Sequence, residues 1–332
     1  MLWIVLNNNI KVVWYLWKKS CLRCGSAAVK LYGQTICGSQ RFRCKECGYT
    51  YTFHNYKNKR HREKKSFALW ITEGYSVRQL IDIGSHGVWK LNQIKKYWLE
   101  REPDHSAFDY RSIKYLQFDG TYFKHENCLM VLMDNATNKI VAHKYHYREN
   151  YESAYQMFKE MMESGLQPAA ITIDGNTSVI RALKTAWPDI IIQRCRTHIQ
   201  RQGLSWLRRY PKLEASKDLR KILLTLPAVK DERGGKTFIK DFCCWEDQYG
   251  RIVVSLPSKD KVYGDLQRTR SLILHALPDM FHYLDNPCIA ATTNKLEGYF
   301  SRLKETYRKH RGLSKKHRQT YFAWYINLKN GY

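Results

Sequence analysis

Two short stretches decide how this chain is read: Leu116-Gln117-Phe118-Asp119-Gly120-Thr121 and Ile171-Thr172-Ile173-Asp174-Gly175-Asn176. Each is an apolar run of strand length ending in an aspartate that meets a glycine. One Asp-Gly step after a strand is ordinary turn chemistry. Two matched steps place two carboxylates at strand ends, where a glycine lets metal or substrate approach the backbone. A third acid, Glu297, sits in Thr292-Thr293-Asn294-Lys295-Leu296-Glu297-Gly298, the first turn of a helix expected from 293 to 310, with Gly312 as its stop. A pair of divalent cations about 3.5–4 Å apart can serve both the attacking and the leaving oxygen of phosphoryl transfer. Mg2+ is hard and takes carboxylate oxygens. From the residues alone, catalytic acids and plain turn acids both stay open.

Around these stretches, strand and helix signals alternate. The runs 114–119, 128–133 and 139–147 read as an antiparallel meander, with Asn135-Ala136-Thr137-Asn138 as a turn. A helix over 152–163, a strand over 169–173, a helix over 178–185 and a strand over 190–193 follow. The fold class is therefore α/β, and the order β-β-β-α-β-α-β is that of a ribonuclease-H-like core over 112–202. Residues 203–290 read as an all-α insertion, with Leu219, Ile222, Leu223 and Leu226 at helical spacing. Residues 291–332 close the core with its last helix and a basic tail. Asp134, Asp189 and Glu126 sit in turn or loop settings and are not assigned to a site.

Upstream, Cys21-Leu22-Arg23-Cys24 and Cys44-Lys45-Glu46-Cys47 are two C-x2-C knuckles. That spacing fits a tetrahedral Zn2+ site, so 18–54 reads as a zinc ribbon, with Gly25 and Gly48 at the knuckle turns. Four core cysteines are the plainer alternative, but so small a segment needs a staple. Cys37, between the knuckles, is expected to pack. Arg41, Arg43 and Lys45 flank the second knuckle and make DNA contact a reasonable role. Residues 61–100 read as a helix-turn-helix: a first helix over 63–73, a stop at Gly74, a capping box from Ser76 to Gln79, and a third helix over 88–99. On that third helix Leu91, Ile94 and Trp98 should face inward. Lys90, Asn92, Gln93, Lys95 and Lys96 should face out, toward DNA.

Composition agrees. The 332 residues carry 56 Lys+Arg against 30 Asp+Glu, a formal net charge of +26. That charge calls for a polyanion, and DNA phosphates fit it. The basic residues cluster at 57–65 and 302–318. Hydrophobic residues make up 44%, enough for a core. Residues 1–17 are apolar but broken by Asn7, Asn8, Asn9 and Lys11, too short and polar to span a bilayer and unlike a signal peptide. No membrane partner is expected. Ten cysteines, four of them in a metal pattern, suit a reducing cytoplasm.

The order Asp119, Asp174, Cys195-Arg196-Thr197-His198, Glu297 resembles the DDE transposases of the Mutator-like superfamily, in their bacterial insertion-sequence branch with an N-terminal zinc ribbon. Arg308-Lys309-His310-Arg311-Gly312-Leu313 adds to the likeness, which covers about 21–325. The resemblance implies Mg2+ or Mn2+ at Asp119, Asp174 and Glu297, cleavage at element ends, and strand transfer to target DNA. It also implies an enzyme working at the bacterial nucleoid, with a homodimer expected to pair two DNA ends. It puts Cys195 and His198 near the active site, where His198 would contact a phosphate or order a carboxylate. Read cold, the pair is half a zinc site without its other half, or simple packing. Asn294 lies one turn before Glu297 and Lys304 two turns after it; both, with Arg308, are candidates for DNA. Trp206 is a candidate to stack on a frayed base, or a core residue. Two other readings remain: a domesticated, non-catalytic DNA-binding protein, and a metal-dependent nuclease of the same fold.

Overall fold

The computed structural model describes residues 20–331, apart from 22, 37, 53–55, 85, 105–107, 124–126, 258 and 311; for 56–59 only the backbone is described. The expectations on residues 1–17, Cys37, Glu126 and Arg311 lie outside the described residues. The chain divides into two units, Met1–Ser66 and Phe67–Tyr332.

The first unit holds a three-stranded antiparallel sheet of β1 (Val29–Gln34), β2 (Gln40–Cys44) and β3 (Thr50–Thr52). Its core is small: Cys21, Phe42, Cys44 and Tyr51, with Val29 beside them. The division between units falls within α1 (Tyr56–Thr72).

The second unit opens with α2 (Val77–Ile83) and α3 (Val88–Leu99). Ser76 caps α2 as its sequence promised: its side chain accepts from the Gln79 N–H, and Gln79 answers on the Ser76 N–H. The central sheet has five strands: β4 (Tyr115–Phe123), β5 (Asn127–Asp134), β6 (Ile140–His146), β7 (Ala170–Ile173) and β8 (Ile191–Arg194). Their order across the sheet is β6-β5-β4-β7-β8. The first three form an antiparallel meander; β7 lies parallel to β4, and β8 parallel to β7. Two helices link the parallel strands, α4 (Tyr151–Glu163) before β7 and α5 (Thr177–Ala186) before β8.

β5 explains why the run 128–133 is apolar at every position. Cys128, Met130 and Leu132 join one core, with Met157 and Phe158 of α4 and Val179 and Leu183 of α5. Leu129, Val131 and Met133 join another. A strand covered on both faces has no place for polar residues. The second core is completed by Phe67, Trp70 and Ile71 of α1, Leu80 of α2, Leu91 and Ile94 of α3, and the two last helices, α11 (Asn294–Arg308) and α12 (Lys315–Lys329). Residues 67–99 thus share their interior with the sheet.

Between β8 and α11 the chain is helical: α6 (Arg196–Leu207), α7 (Glu214–Thr225), α8 (Glu232–Ser255), α9 (Lys261–Ala276) and the short α10 (His282–Asp285). They enclose a third core in which Leu219, Leu223 and Leu226 meet Phe238, Phe242, Trp245, Leu266 and Ile273.

Three expectations need correction. β4 does not end at Asp119. It continues to Phe123, with Gly120 paired to Met130 and Thr121 to Leu129; only its pairing with β7 stops, at Gln117. Residues 315–329 are not a basic tail but α12, whose residues Thr320–Asn327 are all buried. Lys95 does not point freely outward. It is half-buried, with its ammonium over the Trp70 ring at 5.6 Å.

Candidate functional site

The acids come together through the sheet and α11. Asp119 lies on β4 two residues past its last pair with β7, and Asp174 directly follows β7. Asp119 Oδ1 accepts from the Gly120 N–H at 2.9 Å, and Asp174 Oδ1 accepts from the Asn176 N–H at 2.9 Å. Glu297 is carried in by the segment before α11. Thr172 Oγ1 donates to the Ala290 carbonyl, the Arg196 N–H to the Ala291 carbonyl, and the Thr293 N–H to Cys195 Sγ at 3.3 Å. Burial pushes the Asp119 carboxyl up to about 7, with Asp174 and Glu297 adding repulsion while His198 opposes it.

Among the described residues, no third His, Cys, Asp or Glu ligand atom joins those of Cys195 and His198 within 4.8 Å. Cys195 is buried at the N-terminus of α6. A hydrogen bond to Cys195 raises His198 to about 9, against its burial, and Asp119 and Asp174 reinforce the rise. Burial opposes thiolate formation at Cys195, yet His198 and Thr293 together hold its pKa below the usual thiol value. The other imidazole nitrogen, Nε2, lies 3.5 Å from Glu297 Oε1. His198 thus faces the Glu297 carboxylate.

Sequence reading missed three residues here. Arg201 binds Glu297 with both guanidinium arms, at 3.2 and 3.0 Å. It stands three residues after His198, so helical spacing was a signal for it. Its side chain is 59% exposed, so the pair is worth only about 0.2–1 kcal/mol and is cheaply displaced. Glu149 and Arg194 fill the spaces that the two glycines leave. A Cβ on Gly120 would stand 2.0 Å from Glu149 Oε2, and one on Gly175 would stand 2.3 Å from Arg194 Nη2. The glycines therefore admit protein side chains, where sequence alone suggested room for substrate. Glu149 accepts from Asn176 Nδ2 at 2.9 Å, and burial raises its pKa to about 7, with Asp174 and Asp119 adding to the rise.

The described acids do not form a tight cage. The one group of three or more His, Cys, Asp or Glu ligand atoms within 4.8 Å of one another among them is Cys21, Cys24, Cys44 and Cys47. There the sulfurs of Cys21 and Cys47 are 3.5 Å apart, and those of Cys24 and Cys44 are 3.6 Å apart. Gly25 and Gly48 take φ of +74° and +69° after each knuckle, a backbone few side chains tolerate. Burial opposes it, but N–H groups of Cys24 and Arg23 and the neighbouring thiols bring Cys21 down to about 6. Four soft donors converging this way could hold a zinc ion.

The remaining candidates are scattered. Arg41 and Arg43 project from the exposed face of β2, both over the Tyr32 ring. Asn92, Gln93 and Lys96 are exposed on α3, and Lys90 is half-buried. Asn294 and Arg308 are exposed on α11. Lys304 is half-buried, its ammonium 5.6 Å from the Phe123 ring and within the attraction of Asp119. Trp206 is half-buried near the end of α6. Trp89, unremarked in the sequence, is 73% exposed at the start of α3.

Residues 127–262 match the family model described as "Transposase, Mutator family", a span that includes Asp174, Cys195 and His198 but not Asp119 or Glu297. Over these residues the chain is similar to Mutator-family transposases, which supports the resemblance seen in the sequence. No curated protein matches the chain. Among solved structures, a match is the cryo-EM structure of the simian T-cell lymphotropic virus intasome in complex with PP2A regulatory subunit B56 gamma. It is 13% identical, covers 51% of this chain and 69% of that chain, and has a TM-score of 0.22. A likeness at that score carries no argument. No described helix is long and apolar enough to cross a membrane.

Proposed function

We propose that the protein is the transposase of a bacterial insertion sequence, a DDE-type polynucleotidyl transferase that binds the element's terminal repeats, cuts there and joins the ends to target DNA. The observation that carries this is the convergence of Asp119, Asp174 and Glu297, with His198, into one electrostatic neighbourhood in a chain whose middle matches the Mutator family. The sheet order, three antiparallel strands flanked by two parallel ones, supports a ribonuclease-H-like core with residues 203–290 as its insertion.

The donor set fits a hard divalent cation: Asp119 and Asp174 at adjoining strands and Glu297 on the facing helix would hold it. When bound, Mg2+ or Mn2+ supplies charge neutralisation at the transferring phosphoryl group. His198, held by Cys195, orients Glu297. Lys304, Asn294 and Arg308 line α11 for the DNA backbone. The zinc ribbon and α1–α3, as a helix-turn-helix, read the terminal repeats. Two subunits pair the two ends, and the work takes place on the nucleoid in the cytoplasm.

The test is to incubate the zinc-loaded protein with Mg2+ and DNA bearing the element's ends. Strand transfer is expected. Binding without cleavage would favour a domesticated DNA-binding protein, and cleavage without joining a nuclease. Asp119→Asn should abolish cleavage and spare binding; cleavage at the normal rate would refute the site.

A further inference from the structure

We infer that Glu149 is a fourth carboxylate of the acidic pocket, holding the divalent cation together with Asp119 and Asp174; the inference rests on the metal-dependent reading proposed above.

Glu149 reaches the pocket from a direction that the two Asp-Gly steps do not reveal. It immediately precedes Asn150, the N-cap of α4, whose side chain accepts from the Ser153 N–H while Ser153 Oγ accepts from the Asn150 N–H. That capping box fixes where the helix begins and so where residue 149 stands. The Glu149 N–H also donates to the Tyr122 hydroxyl of β4 at 3.3 Å. Its carboxylate then lies against the backbone of Gly120, in the space a side chain there would fill.

The partners of this carboxylate do not satisfy it. An ionised carboxylate offers about four acceptor positions. Oε1 takes one strong donor, Asn176 Nδ2. Among the described residues, Oε2 takes only the Cys128 thiol, at 3.9 Å. Asp174 and Asp119 both repel its charge, and no described Lys, Arg or His forms an ion pair with it. A half-buried acid among acids is costly unless a cation answers the group.

Asn176 links the parts. Its backbone N–H donates to Asp174, its side-chain amide donates to Glu149, and its Oδ1 caps α5 through the N–H groups of Ser178 and Val179. One residue thus sets the two acids at a fixed spacing. An arrangement that holds two like charges together, anchored by a helix cap, suits a shared cation better than a structural hydrogen bond.

The test uses the full-length, zinc-loaded protein and Mn2+ alone as probe, titrated by calorimetry and by the loss of the free Mn2+ paramagnetic signal. Glu149→Gln keeps the shape and the Asn176 contact. It should weaken Mn2+ binding about tenfold or more, leave the Tm without added Mn2+ unlowered, and shrink the Tm rise that Mn2+ produces. Gly120→Ala, whose methyl displaces the Glu149 carboxylate, should weaken Mn2+ in the same way. Mn2+ affinity equal to that of the unaltered protein in both variants would overturn the inference and leave Glu149 as a buried acid carrying its own proton. If the unaltered protein took up no Mn2+ and Asp119→Asn still cleaved DNA, the metal-dependent reading itself would fall, and this inference with it.

Discussion

Cys21, Cys24, Cys44 and Cys47 are gathered by a fold with little else inside it, whereas Asp119, Asp174 and Glu297 are gathered by a fold that is complete without them. The first unit buries Phe42 and Tyr51 beside two of its own cysteines. So small an interior does not offset the ordering of the chain. The sulfurs and the fold therefore depend on each other. In the second unit, β5 alone feeds two cores, and the acids stand at the margin of a sheet already held by apolar contact. There the fold comes first, and the carboxylates are set on it, Asp119 within β4, Asp174 just past β7 and Glu297 on α11. One kind of centre makes structure; the other spends the stability of structure made elsewhere.

The sharpest way to break this contrast is to deny the four sulfurs a metal ion. Structural zinc contributes about 10–16 kcal/mol to small zinc domains. Chelation, or Cys24→Ser with Cys47→Ser, should abolish amide protection over residues 20–52 in hydrogen exchange and leave residues 67–331 protected. Persistent protection of the ribbon would show that its core suffices. A large effect of the opposite kind is expected from Phe322→Ala. Phe322 is fully buried with the rings of Phe123, Tyr145, Tyr307 and Tyr321 around it. Its loss should cost about 3–5 kcal/mol in urea unfolding. A cost under about 1 kcal/mol would mean that α12 adds little to the core.

The two Asp-Gly steps sharpen the contrast within the second unit. Gly175→Ala would drive a methyl into the guanidinium of Arg194, which is 7% exposed and has little room to yield. It should cost about 1–3 kcal/mol. Gly120→Ala meets the carboxylate end of Glu149 and, at 2.9 Å, the Cys128 sulfur, and should cost less, about 1 kcal/mol. Equal losses in thermal unfolding would contradict the difference in neighbours. A comparably small effect is a pH dependence. Asp119 and Glu149 have folded pKa values raised to about 7. Their contribution is therefore full below the ordinary carboxylate range and is lost as pH rises through about 7. Asp119→Asn lacks that loss at one site. Without added divalent metal, its Tm relative to the unaltered protein should climb between about pH 5 and pH 8, by the equivalent of on the order of 1 kcal/mol. A constant difference would place Asp119 in a wetter setting.

Much of this was legible from the chain because the signals were local. The knuckle spacing, the Ser76–Gln79 box and helix Val88–Leu99 each depend on residues within a few positions, and each stands where its pattern placed it. α12 was hidden because Lys315-Lys316-His317-Arg318 opens it with charge, although Tyr321-Phe322-Ala323-Trp324-Tyr325-Ile326 behind them is an apolar run. The continuation of β4 was hidden because Gly120-Thr121 reads as a turn, and only cross-strand pairing with Met130 and Leu129 keeps it extended. Glu149 had no local signal at all. Its inward aim comes from the α4 cap and from Tyr122 on another strand.

Asn330 gives the sheet edge its last partner. At the start of β6 its side chain accepts from the Ile140 N–H at 3.0 Å and donates to the Ile140 carbonyl at 2.8 Å, as a neighbouring strand would. This closure waits for a residue 190 positions further along. During synthesis the meander must therefore leave the ribosome with that margin bare, open to pairing with other nascent chains until the final helix arrives.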